Sequence, residues 1–342
     1  MTTIRDIAQA AGVSIGTVSN FLNDPGLVAE GTREAIQRKI QELDYHPRAA
    51  ARSLKSRQTR RIGLVPVISP EDNHSPDPGD AAFLEFLAGL NTVAAESGYD
   101  ILISAAVTAR QELTIYERLI GEAQVDGLIL MGMRPQDERL RFVTERGFPC
   151  VAYGRADSQR PYAYVDVDGE AGIAAAVHHL AELGHRRIAY ITPPEGLMCT
   201  RQRWAGFERG MQAAGLPIDP DYILEGGFNE RSGQICTHLL MDLPQPPTAI
   251  LTANDACAFG AMRVLQIRGL QTGKDVSVIG FDDVSLATHW HPSLTTIAQP
   301  FRKIGFTVMQ SLFAILAQKE TLPQTVIEPH LIVRQSTGRP PE

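Results

Sequence analysis

At 342 residues the chain is too long for one small core and long enough for two or three folded units. It has no apolar run of membrane-spanning length, and its amino terminus enters an amphipathic pattern instead of a basic-then-apolar leader, so it is expected to be soluble and cytoplasmic. The net charge of −7 argues against a polyanionic partner for the chain as a whole, but residues 1–61 hold ten Lys/Arg against six Asp/Glu, a balance of +4 that leaves −11 for the rest. That asymmetry suits a small arm that can meet nucleic acid, attached to an acidic body that repels it elsewhere.

The opening stretch runs from Ile4 to Asn23. Ile4, Ile7, Ala8 and Ala11 fall at helical spacing, Gly12-Val13-Ser14 interrupts, and Val18, Phe21 and Leu22 resume the period. The pattern predicts helix, tight turn, helix: Gly12 ends the first in the left-handed conformation, Val13 plugs the core, and Ser14 caps the second. This is helix-turn-helix geometry, with Thr17, Ser19 and Asn20 on the polar side of the second helix, able to bond phosphates or base edges. An amphipathic hairpin of an ordinary helical domain satisfies the same pattern, because turn and period do not encode DNA. Asn23 to Gly26 is turn chemistry, and Thr32 is the expected N-cap of a third helix containing Ile36, Ile40 and Leu43. After Pro47, Arg48 to Ser56 reads as a short helix with Arg52, Lys55 and Arg57 on a basic face and one apolar residue, Leu54, left exposed. So short a helix is marginal unless it leans on something.

From Arg61 the texture changes. Ile62 to Val67, Ile101 to Ile103, Gly127 to Met131 and Pro149 to Tyr153 read as strands, separated by helical patterns over Phe83 to Glu96, Glu112 to Glu122 and Leu140 to Arg146. A polar, proline-rich loop, Ser69 to Gly79, follows the first strand. The rhythm restarts with helices at Gly172 to Leu183, Gln202 to Ala214, Ser232 to Met241 and Ala256 to Gly269, and strands at Ile188 to Ile191, Tyr222 to Leu224, Ala249 to Thr252 and Val276 to Gly280. Strict alternation predicts parallel sheets covered on both faces, and two such runs predict two α/β lobes with a cleft outside the carboxyl ends of their strands.

Polar groups stand at those ends: Asn254-Asp255, Asp282-Asp283, and Asp168 before the helix at Gly172, with Arg203 at the start of another helix. Carboxylates and a guanidinium without metal spacing suit a polyhydroxylated ligand, though helix capping accounts equally well for any single one. The four cysteines, Cys150, Cys199, Cys236 and Cys257, are far apart and indicate neither a disulfide framework nor zinc. No Walker-type loop, dinucleotide fingerprint or nucleophile elbow is present, so no enzyme, cofactor or metal is expected.

The run Ile4, Asp6, Ile7, Ala8, Ala11, Gly12, Val13, Ser14, Thr17, Val18, Ser19, Leu22, Asn23 resembles the headpiece of the lactose-repressor (LacI/GalR) family. Further matches extend the resemblance along nearly the whole chain: Leu183 to Ala189, Arg203 with Gly206 and Phe207, Ala253 to Asp255 with Ala258 and Gly260, Gly280 to Asp283, and Leu294 to Gln299. It implies an all-α helix-turn-helix headpiece over 1–46, a hinge helix and linker over 47–60, and a core over 61–342 with two doubly wound lobes of periplasmic-binding-protein type. Their expected limits are about 61–162 plus 292–322, and about 163–291 plus 323–340.

By the same resemblance the chain is expected to be a sequence-specific transcription regulator, a repressor, acting as a homodimer or tetramer on a pseudo-palindromic operator. The hinge helix orders on DNA and wedges Leu54 into the minor groove. Operator contacts are expected from Ser14, Ile15, Gly16, Thr17, Ser19, Asn20, Asn23, Arg33 and Tyr45, together with Arg52, Leu54 and Lys55. Ile15-Gly16 stand where family members often carry larger polar readers, so direct base contact there is expected to be poor, with Asn20 the best reader of an adenine edge. Effector contacts are expected from Arg203, Asn254, Asp255 and Asp282, with Asp168, Gln299, Arg155 and the aromatic residues Phe83, Phe86, Tyr153 and Trp290. The hydroxyl partners favour a sugar or glycoside; a nucleobase-like corepressor is the alternative. A periplasmic-type solute-binding protein shares the core but needs an export signal and no headpiece.

Overall fold

Thr3 starts the first helix, α1 (Ile4–Ala11), through a reciprocal capping box with Asp6, whose carboxyl is held below its usual range by the hydrogen bonds from Thr3. Gly12 ends it at φ +67°, the left-handed value expected of the turn, and donates its N–H back into α1. The Ser14 hydroxyl then accepts from the Thr17 N–H at 3.0 Å and opens α2 (Ile15–Asn23). A short 3-10 turn, Pro25–Leu27, leads to α3 (Glu30–Glu42), which begins after Ala29 with no side-chain cap; Thr32 lies inside its first turn and is not the cap. Ile7, Val18 and Ile36 are fully buried between the three helices, and Phe21, Val28 and Tyr45 close that core.

The computed structural model describes residues 2–45, 58–68, 81–318 and 322–341. The expected hinge helix with Arg52, Leu54 and Lys55, the loop from Ser69 to Gly79, and the side chain of Asn23 lie outside the described residues. Residues 1–60 and 61–342 are two compact units.

The second unit holds two six-stranded sheets of one topology. The strands of the first are β1 (Arg61–Leu64), β2 (Asp100–Ile103), β3 (Gly127–Leu130), β4 (Cys150–Tyr153), β5 (Ala163–Val167) and β11 (Gln324–Ile327). Those of the second are β6 (Ile188–Thr192), β7 (Ile223–Glu225), β8 (Ala249–Leu251), β9 (Ser277–Asp282), β10 (Thr295–Ala298) and β12 (His330–Ile332). The orders are β2-β1-β3-β4-β5-β11 and β7-β6-β8-β9-β10-β12, every pair parallel except β10 with β12. Helices α4 (Ala81–Glu96), α5 (Ala109–Gly121), α6 (Glu138–Glu145) and α12 (Phe301–Leu316) cover the first sheet; α7 (Gly169–Glu182), α8 (Met198–Ala213), α9 (Glu230–Met241) and α10 (Asp255–Ile267) cover the second. A short helix, α11 (Ser285–His289), follows β9. Each sheet has an apolar core on both faces, as a parallel sheet requires. Among the described residues no helix is long and apolar enough to cross a membrane.

The sheets move the expected lobe limits. Residues 163–167 pair with β4 and close the first sheet, residues 295–298 join the second, and residues 324–327 return to the first. The chain therefore passes between lobes three times, at Val167 to Gly169, Ala298 to Phe301 and Ile327 to His330. These strands escape a hydropathy reading because polar side chains are built into them: Thr295 and Thr296 are fully buried, and Asp166 is buried at the carboxyl end of β5.

Candidate functional site

In sheets of this order the connections leaving β1 and β3, and likewise β6 and β8, turn to opposite sides, so a crevice opens at the carboxyl ends of those strands. The two crevices face each other across one cavity of about 990 Å³. From the first lobe it is lined by the segments after β1, β3 and β4, and from the second by residues after β6, β8, β9 and β10.

Arg203, on the first turns of α8, is the most constrained group in it. Its guanidinium carbon lies 3.6 Å from the centroid of the Phe281 ring, and Nη1 donates to the Ala253 carbonyl at 2.7 Å. Its Nε is buried against Gly169 with no hydrogen-bond partner among the described residues. Asp282 ends β9 at φ +131° and Asp283 follows at +58°, two aspartates in a backbone region that side chains seldom adopt. Gln299 holds the first by donating from Nε2 to Asp282 Oδ1 at 2.6 Å, and Arg334 pairs with Asp283 at 2.6 Å. The Tyr153 hydroxyl donates to Gln299 Oε1 at 3.3 Å, and its ring stacks on Phe86 at 5.2 Å between centroids. Burial pushes the Tyr153 phenol well above its ordinary range, so it stays a neutral donor. Asn254 caps α10, with Oδ1 accepting from the Cys257 N–H and Nδ2 donating to the Phe228 carbonyl.

Phe83, Phe86, Tyr153, Arg155, Arg203, Asn254, Asp282 and Gln299 thus line one cavity. Three expected contacts do not. Asp168 spends its carboxylate on the Ala171 N–H, capping α7. Trp290 stacks on Phe259 at 4.7 Å and packs against the core of the second lobe. Asp255 is fully buried behind the cavity wall, accepting from the Thr296 hydroxyl and from the Val284 N–H at 2.9 Å. Burial pushes its carboxyl up to about 7, against the pull of those two hydrogen bonds. A Cβ on Gly280 would collide with it, so it braces β9 from the rear.

The cavity adds residues that the sequence reading passed over. Asp166 is one: its Oδ2 accepts from Arg155 Nε at 2.6 Å and from Gln202 Nε2 at 3.1 Å, while Oδ1 accepts from the Val167 N–H. Had Ala163 to Val167 been read as a strand, its carboxyl end would have pointed to Asp166 instead of Asp168. Phe228, Phe281, Phe301 and Met131 add apolar wall, and Cys199 lies one turn before Arg203. Gln202 to Asp166 and the Met198 N–H to the Met133 carbonyl, at 2.8 Å, tie the two lobes across the cavity mouth.

In the headpiece, Ile15, Gly16 and Asn20 are exposed on α2 and Ser19 is half-buried. The Ser14 and Thr17 hydroxyls contact each other at 2.9 Å as part of the cap. Arg33 donates to the Val28 carbonyl at 3.4 Å, and Tyr45 is buried in the three-helix core.

Residues 3–48 match the family model described as bacterial regulatory proteins, lacI family, and residues 177–337 match a periplasmic binding protein-like domain. The transcriptional repressor CytR of Escherichia coli K12 is 33% identical over 98% of this chain and 96% of its own length. The regulator CelR of Thermobifida fusca is 31% identical over 98% of both. Among solved structures, the lac repressor dimer bound to operator and the anti-inducer ONPF is 28% identical with a TM-score of 0.86, covering 98% of this chain and 99% of that one. A CelR–cellobiose complex is 29% identical with a TM-score of 0.73, covering 98% and 100%. With the helix-turn-helix at its amino end and the two-lobed effector-binding core behind it, the chain belongs to the LacI/GalR family of transcriptional regulators.

Proposed function

We propose that this regulator is a homodimeric repressor of a pseudo-palindromic operator, and that a sugar carried as a glycoside or disaccharide controls it from the cavity between the lobes. The carrying observation is Arg203, a guanidinium that lines the cavity with the Phe281 ring on its face and Nη1 fixed on the Ala253 carbonyl. A guanidinium held in this way offers a pre-organised planar fork to adjacent ligand oxygens. Asp282 and Asp166 supply acceptors for adjacent hydroxyls, and Phe228, Phe281 and Met131 supply apolar faces for a ring. The volume is at the upper end of the roughly 300–1,000 Å³ found for small-molecule sites, which suits two linked rings better than one. The relative solved with cellobiose supports the same class.

A nucleoside-like effector is the second reading, favoured by the phenylalanines around the cavity, Phe83, Phe86, Phe228, Phe281 and Phe301. Either ligand would compete for Asp166 and Asp282, whose present partners tie the lobes together, and so would bias the angle between them. A thermal-shift panel of disaccharides, aryl glycosides, monosaccharides and nucleosides on the full chain tests this. The expected result is a rise in melting temperature with a disaccharide or glycoside that Arg203→Ala abolishes, together with a changed operator affinity in the unmutated chain. Stabilisation by nucleosides alone would replace the sugar reading with the second one.

A further inference from the structure

The outward arc of α2 is formed by Ile15, Gly16, Ser19 and Asn20, because Val18 and Phe21 point into the headpiece core. Within that arc one side chain is apolar. Ile15 is 44% exposed, on the first turn of the helix, and the Ser14 and Thr17 hydroxyls on either side of it are turned to each other and to the Thr17 N–H. Ile15 therefore offers an apolar surface at the position of the helix that a groove would meet first. Gly16 beside it is unexplained by the fold. A Cβ there would meet only the Ser14 hydroxyl, at an ordinary 3.5 Å, and the residue is helical, so neither packing nor backbone conformation calls for glycine. Glycine weakens a helix relative to alanine, and a glycine with open space above it allows the helix backbone to come close to a partner.

Recognition helices present their amino-terminal residues to base edges in the major groove. The one apolar group on those edges is the 5-methyl of thymine; every other feature there is a hydrogen-bond donor or acceptor. We propose that Ile15 reads a thymine methyl in each operator half-site, with Gly16 letting α2 sit close enough for the contact, so that the pair is a positive specificity element and not a gap in the readout. This rests on the operator-binding reading of the chain.

The test begins with selection of the operator from random duplexes by the full chain. Each thymine of one half-site is then replaced by uracil, which removes the methyl and keeps every hydrogen-bonding group. One position is expected at which the unmodified chain loses about fourfold in affinity, the weight of one buried methyl. Ile15→Ala should bind the thymine and uracil operators alike, and Ile15→Val should keep the difference. Gly16→Ala should lower operator affinity while the headpiece melts no earlier. A selected operator with no methyl-sensitive thymine, or the same fourfold loss in Ile15→Ala, would overturn the proposal alone. Unchanged operator affinity in Gly16→Ala would overturn the part given to Gly16. Failure to select any sequence would overturn the operator reading and the proposal with it.

Discussion

Asp166 and Asp168 stand two residues apart at the end of β5 and do different work. Asp166 gathers Arg155 and Gln202 at the cavity, while Asp168 satisfies the amide of Ala171 at the start of α7. Asp166→Asn should weaken effector binding and leave the melting temperature of the free core nearly unchanged; Asp168→Ala should lower stability by about 1 kcal/mol, the usual weight of an N-cap, and leave effector affinity alone. Calorimetric titration and chemical denaturation of the two variants separate these outcomes, and an equal loss of ligand affinity in both would refute the division of labour. At this scale the sequence is legible only in part. Asn254 and Asp282 are recognisable because a motif and a strand end coincide on them, and Arg203 because a motif marks the start of its helix. Asp255 carries the same signal as Asn254, yet one residue further along the helix start its side chain turns inward to Thr296. Tyr45 shows the converse limit, since an aromatic residue near a basic arm reads the same whether its ring is stacked in a core or set against a groove.

At the scale of elements, the alternation of helix and strand is visible because parallel strands buried on both faces must be nearly continuous runs of Val, Ile and Leu, as β3, β6 and β8 are. The strands that sequence reading passes over are those whose polar residues are satisfied internally, which hydropathy cannot see. Thr295 is one, bonded to Thr337 at 3.0 Å. The carboxyl-terminal segment is a related case. His185 links it to the second sheet: Nδ1 accepts from Thr248 at 2.9 Å, and Nε2 meets the Gly338 carbonyl at 2.8 Å and Ser277 at 3.0 Å. A neutral ring with its proton on Nε2 serves these partners, and burial lowers its pKa below the ordinary 6.5. The unfolded chain therefore takes up a proton at a higher pH than the folded one. Stability from this group is complete above about pH 6.5 and is lost as pH falls through the depressed folded value. The hydrogen-exchange protection factors of residues 334–340, taken relative to the intrinsic rate at each pH, should fall below pH 6.5, and His185→Gln should remove that fall; protection factors that are flat from pH 7 to 5 would count against it.

At the scale of the whole molecule, DNA-facing and ligand-facing chemistry reside in two units that divide at residue 60. A fragment beginning at Arg61 should fold and bind the effector with unchanged affinity while losing operator binding, measured by titration calorimetry and gel shift on the fragment and the full chain side by side. Sequence-specific DNA binding retained by that fragment would contradict the division. The charge asymmetry points the same way, with +4 over residues 1–61 against −11 for the rest.

The three passages between lobes also govern the order in which the molecule can be completed during synthesis. The apolar face of the first sheet is sealed by Ile304, Val308, Met309 and Leu312 of α12, and its outer strand is β11, both made after the strands β6 to β10 of the second lobe. At typical ribosomal rates that leaves the first lobe open at one face for on the order of ten seconds. The lobe that leaves the ribosome earliest therefore cannot close until most of the second lobe has been made, and the second receives its own last strand, β12, only after that.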